Sequence, residues 1–325
     1  MLSSSANAIF WMSRYLERSG NIARYLDVNW HLTLDISGEY ETQWEPLIAT
    51  TGDEEDFSAR YTDASRESAI FFLTADEENP NSIISCIRMV RLNAMRIRHI
   101  IPTEMWENIN VFYHYIKDAV KRPKRITENP YDFCQEVKRY NLLIGGIAYD
   151  IMDHDEKWNF FSMGRFIERS ESTTRILDVK YHILLPSPKH VGTVLDHVQW
   201  NALLKAVDGL ESFRQRYGQT SSGKVASFLL LDRYFPGSVL FCLNQAQEHL
   251  HSISNTQTWE FSNAAEKQLG QLCNSLSYCT MDDLFEYGLH EFSDDLQIKF
   301  GRVQQAIFDT FFSRMPQVKQ QQFQS

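Results

Sequence analysis

Residues 12–32 of this chain align without gaps on residues 163–183, at an offset of 151, and ten of the 21 positions are identical. The identities are Met12/Met163, Arg14/Arg165, Glu17/Glu168, Arg18/Arg169, Ser19/Ser170, Arg24/Arg175, Leu26/Leu177, Asp27/Asp178, Val28/Val179 and His31/His182. Repeated apolar positions would follow from helix packing alone. Here most of the shared residues are charged or polar. Arg-x-x-Glu-Arg-Ser, with a further Arg seven residues after the Glu, is therefore a chemical specification that the fold must accommodate twice.

Placed on a helix, at 3.6 residues per turn, Trp11, Met12, Tyr15, Leu16, Ile22, Ala23 and Leu26 form one apolar stripe. Arg14, Glu17, Asn21 and Arg24 fall opposite it. The second copy puts Phe166, Ile167 and Leu177 on the stripe and Arg165, Glu168, Ser172 and Arg175 on the polar face. Two readings follow. In one, each face is solvated and carries intrahelical ion pairs such as Arg14 with Glu17 at i+3, each worth about 0.2–0.5 kcal/mol. In the other, the faces meet across a pseudo-twofold and form a polar interior in which carboxylates hold guanidinium groups. Each copy then brings three arginines against one glutamate, a cation surplus suited to a carboxylate or phosphate. Burying such a surplus without an anion is costly, so burial implies a ligand, a partner or nearby aspartates.

The rest of the chain reads as long helices with almost no strand alternation. Gly (14) and Pro (9) together fall well below their usual combined share of about 12%. The expected fold is an all-α multi-helix bundle with the long helix repeated, as one domain over 1–315 and a disordered tail over 316–325. Helices are expected at about Ala6–Leu34, shortly after Asp63, from Asn81 or Ser82 to Ile101, and from Pro102 to Lys121. Further ones are expected at Tyr131–Met152, Glu156–Leu185, Val194–Tyr217, Lys224–Leu231, Pro236–Ile253, Trp259–Cys279 and Met281–Arg314. The acidic stretch 50–63 and RPKRITENP at 122–130 read as loops. The basic helix at 82–101 sets Arg91 and Arg98 on one side, able either to add cations to the polar interior or to meet an acidic partner.

A net charge of −10 disfavours nucleic acid as the main partner, because displacing a duplex's counterions needs a positive surface. Five cysteines with no C-x-x-C spacing suggest neither a disulfide framework nor a zinc site, and fit a reducing cytoplasm. The N-terminal segment lacks a basic region ahead of its apolar run, which Arg14 and Glu17 interrupt, so it does not read as a signal peptide. No stretch approaches the length of a membrane span. GQTSSGK at 218–224 falls short of a P-loop because Val225 stands where a Ser or Thr would bind Mg²⁺. Paired Glu-x-x-His motifs of a di-metal bundle are missing, and Glu286 with His290 at i+4 has no second pair. No metal and no cofactor are expected.

The chain resembles the Alpha-E family, a bacterial all-helical domain of unknown function named for its Glu-Arg motif. The resemblance rests on AIFWMSRYLERSGNIARYLDV at 8–28, NPNSIISCIRMVRLNAMRIR at 79–98, EMWENIN at 104–110, WNFFSMGRFIERSESTTRILDV at 158–179 and FLLLDRYFPGSVLFCLNQA at 228–246. The family motif falls on Glu17-Arg18 and Glu168-Arg169. One departure is Ser13, where members commonly carry Gly, as Gly164 does in the second copy. The resemblance implies partnership with a circularly permuted ATP-grasp ligase and a transglutaminase-like protein in an amide- or peptide-ligating system. On that footing Arg14, Glu17, Arg18, Arg24, Arg91, Arg98, Arg165, Glu168, Arg169 and Arg175 are the candidate ligand- or partner-binding residues. An enzyme with Glu17 or Glu168 as acid/base, and a purely structural scaffold, are the alternatives.

Overall fold

Residues 1–35, 44–182 and 193–313 are described by this computed structural model, and every regular element among them is helical. The chain opens with the long α1 (Ser3–Asp35), followed by three short helices, α2 (Glu45–Ala49), α3 (Glu54–Arg60) and α4 (Arg66–Thr74). Then come α5 (Ile83–Arg96), α6 (Thr103–Ala119), the short α7 (Pro123–Glu128) and α8 (Tyr131–Ile151). The same order returns in the second half. The long α9 (Glu156–His182) is followed by α10 (Val194–Ala206), α11 (Leu210–Tyr217) and α12 (Ser222–Leu231). After these come α13 (Val239–Ser254), α14 (Ala264–Ser277), α15 (Met281–Tyr287) and α16 (Leu289–Ile307), with a π-helical turn over Phe308–Phe312.

The recurrence extends to individual contacts. Residues 44–86 align on 200–242 at an offset of 156, with 13 of 43 positions identical. Asp76 accepts from Arg60 Nη1 at 2.6 Å and from the Glu78 amide, and Asp232 accepts from Arg216 Nη1 at 2.6 Å and from the Tyr234 amide. Phe57 stacks on Tyr61 as Phe213 stacks on Tyr217. Ser82 caps α5 and Ser238 caps α13, each hydroxyl accepting from the third amide beyond it. The first repeat found in the sequence is thus part of a longer one.

Several boundaries differ from the sequence expectation. The acidic stretch holds α3, because Glu54, Glu55 and Asp56 occupy a first turn where the helix dipole favours negative charge. The loop expected at 122–130 holds α7, with Pro123 in the first turn. The single helix expected over Val194–Tyr217 is two, broken at Asp208 (φ 56°) and Gly209. The last helix is likewise broken at Gly288, whose φ of 97° leaves the helical region. Pro236 and Gly237 precede α13, and Ser238 is its cap. The tail at 316–325 and the end of the helix expected to reach Leu185 lie outside the described residues.

α1 and α9 pack against each other at the centre. α5 and α8 lie on α1, while α13 and α16 lie on α9. The short helices cross over: α10 also packs on α1 and α2 on α9. The buried apolar side chains form one continuous core around this pair. No helix among the described residues is long and apolar enough to cross a membrane. All five cysteines are free.

Candidate functional site

The two long helices meet at the paired positions 13 and 164. A Cβ on Gly164 would stand 2.7 Å from the Phe10 carbonyl oxygen and closer still to Ser13 Oγ, so only glycine fits that face of α9. This seat sets the repeated polar faces against each other, and the ion pairs run between the helices. Arg18 holds Glu168 through two bonds, Nε to Oε1 at 2.6 Å and Nη2 to Oε2 at 3.0 Å. Arg169 holds Glu17 in the same way, at 2.7 and 3.1 Å. Arg14 Nε donates to Glu168 at 2.8 Å, and Arg165 Nε to Glu17 at 3.2 Å. Asn21 Nδ2 donates to Ser172 Oγ, the equivalent position of the other copy, at 2.8 Å. The intrahelical Arg14–Glu17 pair considered from the sequence is not formed, because Arg14 reaches across to α9.

Exact equivalence ends at Glu171. Its counterpart is Gly20, so the repeat offers no hint of its role, although Glu171 follows Glu168 by three residues on the same face. Glu171 accepts from Arg14 Nη2 at 2.9 Å and from Gln304. Five guanidinium groups, those of Arg14, Arg18, Arg24, Arg165 and Arg169, therefore meet three carboxylates. Arg14 is only 1% exposed and lies over the Trp11 ring at 5.1 Å.

These neighbours decide the protonation of the two glutamates. Burial alone pushes the Glu168 carboxyl up, but Arg18 and Arg14, with their hydrogen bonds, outweigh it and hold it down at about 2. Glu17 is likewise pushed up by burial and pulled further down by Arg169 and Arg165, to well below the usual carboxylate range. A carboxylate whose folded value lies below its ordinary 4.5 stabilises the fold fully above that pH, and the contribution is lost as pH falls towards 2. The thermal midpoint of the wild type is therefore expected to drop between pH 4.5 and 2, and to drop less steeply in Glu168→Gln. Parallel pH profiles for the two proteins would show that Glu168 binds protons alike in the folded and unfolded states, so that its carboxyl is not held down by the arginines.

On the Glu17 side the cluster opens to a cleft of about 300 Å³. Arg24 and Arg169 face it, with Asp208 at its rim and Leu142, Val207 and Phe235 among its apolar walls. Arg24 bonds Asn21 and lies 3.5 Å from Glu17 and 3.6 Å from Asp208. The cleft floor is fixed by Tyr25, whose hydroxyl donates to the Ser172 carbonyl at 3.1 Å, and by Thr173, which donates to the Gly237 carbonyl at 2.9 Å.

The remaining candidates sit elsewhere. Arg175 leaves the cluster and approaches the Thr51 carbonyl at 3.5 Å. Arg91 and Arg98 do not enter the polar interior: Arg91 donates to Asn110 at 2.8 Å and lies over Tyr113, and Arg98 lies over Trp106. Both thus line the α5–α6 surface, where aromatic rings receive them. Glu286 and His290 fall on different helices across the Gly288 break, so they make no i+4 pair. His290 Nδ1 instead lies 2.7 Å from Asp178, with Asp294 at 3.7 Å from Nε2. These three residues could hold a metal, yet Asp27, the equivalent of Asp178, is tied to Lys138 on α8 at 2.6 Å. The His290–Asp178 contact is thus the second copy of an ionic tie between a long helix and the last helix of its half. The P-loop look-alike follows α11 and runs into the first turn of α12, without the strand that a phosphate cradle needs.

Sequence reasoning missed Asp208, Gly237 and Asn81, which shape the surroundings of the repeated arginines. Arg18 Nη1 donates to Asn81 Oδ1 at 2.6 Å, and Arg169 Nη1 to the Pro236 carbonyl at 3.3 Å. The signal was present as Pro-x-Ser-x₃-Cys at 80–86 and 236–242.

Compared with known proteins, residues 1–312 match a family model described as a predicted alpha-helical domain with a conserved ER motif. Uncharacterised proteins of Mycobacterium tuberculosis and Mycobacterium bovis are 23% identical over 263 residues, 75% of this chain. The chain spans only 29% of the length of these curated relatives. No solved structure matches it. With the paired Glu17-Arg18 and Glu168-Arg169 at its centre, the chain belongs to the Alpha-E family.

Proposed function

We propose that this protein is a non-catalytic accessory protein that recognises an anion and works with an ATP-grasp-type peptide or amide ligase, and with a transglutaminase-like protein, in one amide-ligating system. The observation that carries this reading is the division of labour within the arginine cluster. Three carboxylates, Glu17, Glu168 and Glu171, pair with the guanidinium groups inside the cluster, while Arg24 and Arg169 keep a face on a cleft large enough for a small ligand. Arginine in such a setting recognises carboxylate or phosphate. The ligase partnership is what membership of the Alpha-E family implies. The Mycobacterium relatives have more than two thirds of their length outside the match, room for a partner domain in the same chain.

Acid/base catalysis by Glu17 or Glu168 is not favoured. A general acid or base works best with a pKa near the operating pH, and both carboxylates are shifted the other way and occupied by guanidinium groups. The test uses Arg24→Gln, since Glu17 keeps Arg169 and Arg165 when Arg24 is lost. The variant is expected to unfold at the wild-type temperature and to fail to support ATP turnover by an ATP-grasp-type peptide or amide ligase. Full support of the ligase by the variant would remove the cleft from the function. A large fall in its unfolding temperature would favour a purely structural role.

A further inference from the structure

We infer that the Arg24/Arg169 cleft takes one free α-amino acid with an apolar side chain, its carboxylate on the two guanidinium groups, its ammonium on Asp208 and its side chain against Phe235 and Leu142. This rests on the anion-recognition reading above and names the ligand class of the same site.

Three features of the cleft select this ligand. First, the rim carries both signs of charge close together: Asp208 Oδ2 lies 3.6 Å from Arg24 Nη1, a loose pair that leaves room for an ion on each partner. An α-amino acid presents an ammonium and a carboxylate at a comparable spacing, and so complements both. A dianionic phosphate would meet the Asp208 charge, and a peptide C-terminus would leave that charge unmatched. Second, Asp208 is placed for this role by the backbone. It occupies the left-handed φ of 56° at the α10–α11 break, and its side chain is 72% exposed. Third, the volume of about 300 Å³ lies at the small end of ligand pockets, and Val207, Phe235 and Leu142 give it an apolar wall beside the charges.

The other half of the molecule carries different residues at the positions that build these features. Gly52 stands at the position of Asp208, Asn79 at that of Phe235 and Asn81 at that of Gly237. Asn81 closes the equivalent space, its Oδ1 accepting from Arg18 at 2.6 Å and its Nδ2 donating to Asp53 at 2.7 Å. On this reading the second half's cleft takes the ligand, one per chain.

Isothermal titration calorimetry with L-leucine, leucinamide, N-acetyl-L-leucine and inorganic phosphate tests the assignment. The wild type is expected to bind leucine with a stoichiometry of one, and leucinamide and N-acetyl-leucine at least about tenfold more weakly, as expected for the loss of a charge-assisted contact. Asp208→Asn, which suits a left-handed position, should keep the fold and lose the preference for leucine over N-acetyl-leucine. Equal affinity for leucine and N-acetyl-leucine would overturn the amino-acid assignment in favour of a peptide terminus. Binding of phosphate alone would overturn it too while leaving an anion site in place. Binding of none of the four would sink the anion-recognition reading with it, and a stoichiometry of two would overturn the closure by Asn81.

Discussion

Glu168→Gln is expected to destabilise the protein by about 3–5 kcal/mol, the cost of leaving a buried charge without its partner. Glu17→Gln should cost less, although Glu17 is approached by three arginines and Glu168 by two. The difference lies in access to water. Arg24, Arg165 and Arg169 retain 17–24% of their side-chain exposure and can rehydrate when Glu17 loses its charge. Arg14 has no such route, being 1% exposed, and after the loss of Glu168 it must share Glu171 with Arg18. Urea unfolding of the two variants at neutral pH measures both costs. An equal or larger cost at Glu17 would show that the number of ion partners, and not desolvation, sets the stability of the cluster. Costs below about 1 kcal/mol at both positions would place these pairs with ordinary surface salt bridges.

The central pair of helices was legible in the sequence because its repeated residues are polar. Arg14, Glu17 and Arg18 recur with their spacing intact, and apolar packing alone gives no reason for that. The remainder of the duplication was hidden by geometry. The offset between the copies grows from 151 along the long helices to 156 beyond them, so an alignment fixed at 151 loses the match between 44–86 and 200–242. Many of the identities there, such as Trp44/Trp200, Phe57/Phe213 and Phe72/Phe228, are also core residues that periodicity absorbs without comment. Charge near the chain misled in the opposite direction. The run Asp53–Asp56 looks like a solvated loop, yet it begins a helix because acidic residues suit a first turn. The cleft itself was not legible, since Arg24, Asp208 and Phe235 lie far apart in sequence and meet only where α10 and the loop before α13 reach the long helices.

Gly164→Ala is expected to destabilise the protein by about 1–3 kcal/mol, the usual range for overpacking, even though alanine is the better helix former by about 1 kcal/mol. The new methyl would press on the Phe10 carbonyl, which belongs to α1 and also accepts a hydrogen bond from Ser13 Oγ at 2.8 Å, so it cannot retreat without moving the helix. Ser13→Gly removes one of the two obstructions, and the double variant should recover part of the loss but not all of it. A stabilised Gly164→Ala would mean that propensity wins and that α9 does not sit this close to α1. The more telling comparison is with Glu168→Gln. If the glycine seat serves to bring Arg14 and Arg18 within bonding reach of Glu168, parting the helices already weakens those bonds, and the two changes together should cost less than the sum of each alone. Strict additivity would separate the two roles, with Gly164 a packing position and the ion cluster stable in its own right. A shortfall of about 1 kcal/mol or more would tie the departure of Ser13 from glycine to the same design. One glycine at the crossing is then sufficient, and the hydroxyl opposite it turns back into its own helix.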